Sequence, residues 1–358
     1  MRSGFVAVVG RPNVGKSTLV NAMVGTKVAI TSSRPNTTRH RILGVLHDPA
    51  ADAQVVFVDT PGIHRPRSTL GSRLNETATD ALNDVDVIMV VVDGTGAIGP
   101  GDRTVLERSV RQVQRVAAAV VAKAAQAADS NDDDVNAPDA PTSASALGEP
   151  PPCVRNAFDE FDEFDEDDDE EDDAPAAPPG LIVIVNKADK ASNAQVLERL
   201  MQAKATVDQL TAPVELDDVE YFPVSARTGK GVDALTASLI DRLPEGPPFF
   251  PPDVVTDTPE ALWIAELVRE QLLAKTRDEL PHAITCRVTE WEWPHIRVEI
   301  IVERDSQKAI VIGKGGEVLK AVGIAVRQEL PEGTYLDLHV KVERHWQNRD
   351  EMLNRLGY

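Results

Sequence analysis

Cysteine is nearly absent: Cys153 and Cys286 are the only two in 358 residues. Two thiols cannot build a disulfide framework, and a reducing compartment fits them better. No apolar run approaches the roughly 18 residues needed to cross a bilayer, and the N-terminal MRSGFVAVVG enters a strand pattern at once, without a secretory signal. A cytoplasmic protein is expected. Internal repeats are lacking. The seven histidines (His40, His47, His64, His282, His295, His339, His345) show no metal-ligand spacing. Positive charge is also short, at a net −21, which taken globally would argue against a nucleic-acid partner.

That charge is local. Between Asp129 and Asp173 stand nineteen Asp and Glu against one base, Arg155, which leaves about −3 for everything else. The tract includes Phe158, Phe161 and Phe164 at every third position and is flanked by Pro/Ala/Ser-rich stretches. It has too few large hydrophobes to offset ordering entropy, so residues from about Ala118 to Pro179 are expected to be a disordered insertion. The remaining 300 or so residues suffice for two domains: 1–247, containing the insertion, and 257–358, joined by a proline-rich linker at 248–256.

What is there begins with Gly10-Arg11-Pro12-Asn13-Val14-Gly15-Lys16-Ser17, followed by Thr18, between an apolar run and a helix pattern. The spacing G-x-x-x-x-G-K-[ST] turns backbone N–H groups around phosphate oxygens at a helix N-terminus. Lys16 would bridge the terminal phosphates and Ser17 would meet magnesium. In AQVVFVDTPGIH, Asp59 ends an apolar strand, where it can hold magnesium through water. Thr60 and Pro61 turn the chain so that the Gly62 N–H can sense the last phosphate. LIVIVNKAD ends a third strand: Asp189 can accept from guanine N1–H and its amine, Asn186 can bond the base and fix the loop, and the Lys187 stem can cover the ring. Ser225-Ala226 follows a fourth strand, placing the Ala226 N–H for guanine O6. In the loop of TSSRPNTTRHRILGVL, Thr38, with Thr37 as the alternative, would complete the magnesium shell. Lys16, Thr38, Asp59 and Gly62 are the candidates for catalysis.

These motifs, in this order, resemble the translation-factor-type P-loop GTPases, which implies an α/β domain with a mostly parallel sheet covered on both faces. GTP/GDP and magnesium are the implied cofactors. Ile63 follows Gly62, where water-activating members often carry glutamine, and it cannot orient water by hydrogen bonding. Slow unaided turnover, a positioning group elsewhere, or a monovalent cation would each account for it. The family includes members in which an asparagine at the Asn13 position helps to bind potassium. A loop-stabilising amide is the other reading of Asn13.

After the linker, TPEALWIAELVREQLLAKTRDELP reads as a capped helix with Leu262, Ala265, Val268 and Leu272 on one face. HIRVEIIVER and YLDLHVKVER alternate apolar and polar residues, predicting an antiparallel sheet backed by helices. Between them KAIVIGKGGEVLKAVGIAVRQEL gives helix, G-x-x-G (Gly313, Lys314, Gly315, Gly316), helix, the KH pattern, here an α+β type II KH domain. Lys308, Ile312, Lys320 and Arg327 join the loop as RNA-binding candidates. From His282 to Tyr358 there are 11 bases against 12 acids, so any RNA surface is a patch beside an apolar groove. Trp291, Trp293 and Trp346 are read as packing residues, with base stacking the alternative.

A GTPase domain followed by this KH module is similar to the Era family of bacterial ribosome-assembly GTPases, through GRPNVGKST, NTTRHRI, DTPGIH, NKAD, VSA and VIGKGG. The resemblance implies a factor for the small (30S) ribosomal subunit that holds the 3′ end of 16S rRNA, with some peripheral association at the cell membrane; a monomer is expected. The acidic insertion departs from that pattern. It is a solvated spacer, or its carboxylates compete with RNA for the KH patch or engage a basic protein. A nucleotide-dependent scaffold at the membrane or in cell-cycle control, with hydrolysis secondary, is the rival reading, but it has no need of VIGKGG.

Overall fold

Six apolar runs pair into one sheet in this computed structural model, which describes residues 1–32, 34, 37–64, 66, 68–130, 177–211, 218–276 and 280–358, apart from the side chains of 126–130, 281 and 282. In chain order the first part runs β1 (Arg2–Gly10), α1 (Lys16–Val24), β2 (Ile42–Asp48), β3 (Ala53–Asp59), α2 (Thr69–Asp80), β4 (Val87–Asp93), α3 (Pro100–Ser130), β5 (Gly180–Asn186), α4 (Asn193–Thr211), β6 (Glu220–Pro223) and α5 (Val232–Arg242). The strand order is β2-β3-β1-β4-β5-β6, with β2 antiparallel to β3 and every other pair parallel. The inner strands β1, β3, β4 and β5 bury both faces, and two cores result. Val6, Val8, Phe57, Met89 and Ile184 pack against α1 and α5. Ala7, Val9, Val90 and Val183 pack beneath α2, α3 and α4. Because the parallel strands share a direction, β1, β3 and β5 deliver Gly10, Asp59 and Asn186 to the same sheet edge.

The helix expected to stop near Ala118 continues to Ser130. VAAAVVAKAAQAA is poor in core formers, but alanine has the strongest intrinsic helix preference, so the segment needs no partner to be helical. The rest of the acidic tract, 131–176 with Cys153 and the three spaced phenylalanines, lies outside the described residues.

The proline-rich linker is pinned along the open edge of the sheet. Gln54 Oε1 accepts from the Phe249 and Phe250 amides at 2.7 and 3.1 Å, and the Val45 N–H donates to the Val255 carbonyl at 2.9 Å. Thr256 donates to the Leu43 carbonyl at 2.7 Å. An edge strand that would otherwise present unpaired backbone is thereby covered.

The second part contains α6 (Glu260–Lys275), α7 (Leu280–Ala283), β7 (Thr285–Glu292), β8 (His295–Val302), α8 (Asp305–Ile312), α9 (Glu317–Arg327), β9 (Tyr335–Val342) and α10 (Asp350–Arg355). The expected antiparallel sheet is mixed. β7 pairs antiparallel with β8, but the two strands read from sequence, β8 and β9, run parallel. Helices α8 and α9 stand between them and form the crossover that returns the chain in the same direction. Pro259 occupies the N-cap of α6, with no side-chain hydrogen bond there, so the expected cap is absent. Leu262 is only half buried, whereas Ala265, Val268 and Leu272 are buried, and Glu266, Arg269 and Glu270 are buried with them.

Helix α2 carries Leu70 and Leu74 against Ile301, Trp346, Met352 and Leu353 of the second part. The Trp346 indole donates to the Ala283 carbonyl at 3.0 Å. Trp346 therefore packs as expected, while Trp291 and Trp293 are exposed. Trp346→Ala should remove the centre of this shared cluster and destabilise by about 3–5 kcal/mol, measured by urea unfolding. A loss below about 1 kcal/mol would show that the cluster closes over the gap.

Candidate guanine-nucleotide and RNA sites

The turn from β1 into α1 wraps a cavity lined by Pro12, Asn13, Gly15, Lys16, Ser17, Thr18, Thr31, Thr38 and Gly62. Asn13 and Gly15 adopt left-handed backbone, with φ of 65° and 98°. At Gly15 a Cβ would stand 2.4 Å from Asn186 Nδ2, so glycine is required there for conformation and space alike. The buried Lys16 ammonium donates to the Gly10 and Arg11 carbonyls, both at 3.3 Å. Burial pulls its pKa down to about 8, with the charge of Asp59 opposing. Arg11 turns outward to Asp102 at 3.1 Å, and Val14 anchors the loop in the core.

Thr38, not Thr37, reaches Ser17 and Asp59. The Ser17 hydroxyl donates to Asp59 Oδ2 at 2.7 Å and lies 2.8 Å from the Thr38 hydroxyl, which donates to the same carboxylate oxygen at 3.3 Å. Thr37 instead donates to the Arg34 carbonyl at 2.8 Å. Two hydroxyls and a carboxylate are hard oxygen donors of the kind magnesium takes. Asp59 Oδ1 is buried with no hydrogen-bond partner among the described residues, and the fit to a divalent cation rests on that atom. Burial raises the Asp59 pKa above the usual carboxylate range, against the charge of Lys16.

The chain then turns through Thr60, whose hydroxyl donates to the Val8 carbonyl at 2.9 Å, and buried Pro61. Gly62 is pressed on the phosphate loop so closely that a Cβ would lie 2.6 Å from Pro12 N. Ile63 is buried with Ala7, Val9, Ala78 and Leu82. Its side chain faces the core.

A second cavity continues from Gly15 and Thr18 to Asn186, Lys187, Asp189, Ala226 and Arg227. Asn186 spans three loops: its Nδ2 donates to the Val14 carbonyl at 3.0 Å, and its Oδ1 accepts from Lys187 N at 2.7 Å and Ala226 N at 3.0 Å. The Ala226 N–H, expected to face guanine O6, is thus directed at Asn186. Lys187 Nζ donates to the Asn13 carbonyl and to Asp93, each at 2.6 Å. Asp189 is exposed at the rim, its Oδ1 accepting from the Ser225 hydroxyl at 2.7 Å. Asp93 is a strut that the sequence reading did not name. Its signal was its place at the end of β4.

In the second domain Gly313, Gly315 and Gly316 all have positive φ between 62° and 80°. Lys314, Lys320 and Arg327 are exposed, and Lys308 and Ile312 are half buried. The flanking helices also expose Ile310 and Ile324, two apolar side chains that the sequence reading did not select. They sit on the same two helices as Lys308, Lys320 and Arg327.

Comparison with known proteins agrees with this geometry. The family model described as 50S ribosome-binding GTPase matches residues 5–123, and the KH domain model matches 279–347. The chain is 40% identical over 368 residues to GTPase Era of Mycobacterium sp. (strain KMS), covering 100% of this chain and 99% of that protein. It is 38% identical over 367 residues to GTPase Era of Mycobacterium tuberculosis (strain ATCC 25177 / H37Ra), covering 99% and 98%. Among solved structures, an Aquifex aeolicus Era variant bound to GDP·AlF4− aligns with a TM-score of 0.72 at 32% identity, covering 100% of this chain and 99% of that one. An Era complex with MgGDPNP and nucleotides 1506–1542 of 16S ribosomal RNA aligns at 0.73, with the same identity and coverage. With both modules matched and relatives this similar along their whole length, the chain belongs to the Era family of GTPases.

Proposed function

We propose that this GTPase binds GTP with magnesium between the phosphate loop and Thr38, holds the 3′ end of 16S rRNA on its KH domain, and assists assembly of the small ribosomal subunit. The observation that carries this reading is the meeting of Ser17, Thr38 and Asp59 beside Lys16, at the end of a cavity that leads to Asp189. Magnesium, when bound there, supplies positive charge to the phosphate oxygens. Lys16 adds its ammonium to the same phosphates, and Gly62 offers a backbone N–H at the last one. Asp189 reads the guanine edge, with Ser225 holding the carboxylate in place. The Era relative that carries 16S rRNA nucleotides supports placing RNA along the G-x-x-G loop, with Lys314, Lys320 and Arg327 toward phosphates and Ile310, Ile312 and Ile324 toward bases.

The scaffold alternative is not favoured, since the relatives are GTPases and both modules are complete. For partners we propose the 30S subunit and, through the acidic insertion, the KH domain or a basic protein. The domain limits 1–247, 248–256 and 257–358 remain our division. For location we propose the cytoplasm with a peripheral membrane pool, as the family resemblance implies. Among the described residues no helix is long and apolar enough to cross a membrane.

Binding to a short RNA copying the 3′ end of 16S rRNA, beside a scrambled control, tests the reading. With a non-hydrolysable GTP analogue in place of GDP, selective binding should tighten by roughly 5- to 150-fold. Equal binding of both RNAs in both states would contradict it. Asn13 lines the phosphate cavity, and potassium there would supply positive charge to the reacting phosphate where Ile63 cannot orient water. GTP hydrolysis should run faster in potassium than in sodium at matched ionic strength, and Asn13→Ala should abolish the difference. Equal rates in the two salts would remove potassium from the account.

A further inference from the structure

Thr38 belongs to the GTPase domain, yet each side of it is tied to the RNA domain. On one side the Arg269 guanidinium on α6 donates to the Thr37 carbonyl, across 232 positions of sequence. That carbonyl belongs to the peptide unit leading into Thr38, so holding it fixes the plane from which the Thr38 side chain departs. On the other side Arg39 is buried in the second domain. It donates to the Ile284 carbonyl at 2.8 Å and lies 5.8 Å from the centre of the Trp346 ring. His40 stacks on Tyr358 at 4.6 Å, and the Tyr358 hydroxyl meets that of Thr285 at 2.7 Å.

The guanidinium itself is aimed. Arg269 Nε and Nη2 both contact the Glu266 carboxylate, one turn earlier on α6, and both residues are buried. Burial alone would push Glu266 upward, but the charge and hydrogen bonds of Arg269 outweigh it and hold the carboxyl below its usual range. Arg269 Nη1 is buried without an acceptor. A buried charged pair is weak evidence for stability, and an unsatisfied donor makes it weaker. What the pair does achieve is a fixed fork with one arm on the Thr37 carbonyl.

We infer that Arg269, oriented by Glu266, is a positioning residue for GTP hydrolysis: the RNA domain sets where the Thr38 hydroxyl stands beside Ser17 and Asp59. This deepens the proposed function and rests on it, because Thr38 matters only if a nucleotide with a third phosphate and magnesium occupies the cavity. The two ends of the device are 3.3 Å or less from their partners: Thr38 to Asp59 and Ser17, Arg39 to Ile284. A shift of the second domain would therefore move a metal-side hydroxyl directly. Residues 33, 35 and 36 of this loop lie outside the described residues.

Arg269→Lys in the full chain tests it. Lysine keeps a positive charge against Glu266 but has no fork with which to hold both the carboxylate and the Thr37 carbonyl. We expect kcat for GTP to fall roughly 10- to 100-fold, the loss that follows a displacement of about an ångström at a reacting centre. GDP affinity should stay within about twofold, because GDP lacks the phosphate that Thr38 serves. Wild-type kcat together with wild-type GDP affinity would overturn the inference. So would an equal loss of GDP and GTP-analogue affinity, which would mark general damage to the domain. The paired change Glu266→Gln/Arg269→Met removes both charges at once and guards against a variant that fails to fold. It should reproduce the kcat loss, and full activity there would also overturn the inference. Failure of the wild-type chain to bind GDP or turn over GTP would instead sink the functional reading beneath it, a result visible before any variant is made.

Discussion

The geometry of this molecule depends on one peptide carbonyl, that of Thr37, being held by an arginine from the other domain. Residues around it carry opposite duties. Thr38 faces inward to Asp59 and Ser17, and Arg39 faces outward to Ile284 and Trp346. A backbone cannot serve both without coupling them. Neighbouring contacts repeat the arrangement: Thr31 N donates to Glu270 at 2.7 Å, Lys27 bridges Glu270 and Glu329, and Arg73 on α2 reaches Asp350 at 2.7 Å. The Thr38 loop and α2, the helix that follows Gly62, therefore both touch the RNA domain.

Much of the first domain was legible because its strands are buried on both faces, so they read as unbroken apolar runs that end in polar motifs. Ser17, Asp59, Asn186 and Asp189 fall where parallel strands converge, and their spacing alone located them. Of the two threonines weighed for the metal, Thr38 is the one that meets Asp59, while Thr37 bonds within its own loop. The direction of β9 was not legible: alternation shows that one face is buried and is silent on which way a strand runs. Helix α3 beyond Ala118 was missed because a search for large hydrophobes undervalues alanine. Glu266 and Arg269 were missed for a different reason. Charged residues on an amphipathic helix read as solvent-facing, and the surface that buries these is far away in sequence.

The insertion and the linker show how the fold separates what varies from what must hold still. The acidic tract falls in sequence between α3 and β5, and the hydrogen bonds that join Ser17, Thr38 and Asp59 and tie Asn186 to Val14 are all made among described residues outside it. The linker is fixed along β2, the strand that follows Arg39 and His40, so the RNA domain is attached at two places along the same stretch. This double attachment gives a movement of the RNA domain a short path of packed groups to the Thr38 loop.

The central claim, that nucleotide and RNA sites share one conformational equilibrium, is tested most directly from the nucleotide side. Calorimetric affinity for a GTP analogue with magnesium would be measured with and without saturating 16S 3′-end RNA. Linkage requires RNA to tighten the analogue by the same factor by which the analogue tightens RNA, with a smaller effect on GDP. Nucleotide affinities that ignore the RNA would contradict the account and leave two binding modules that merely share a chain.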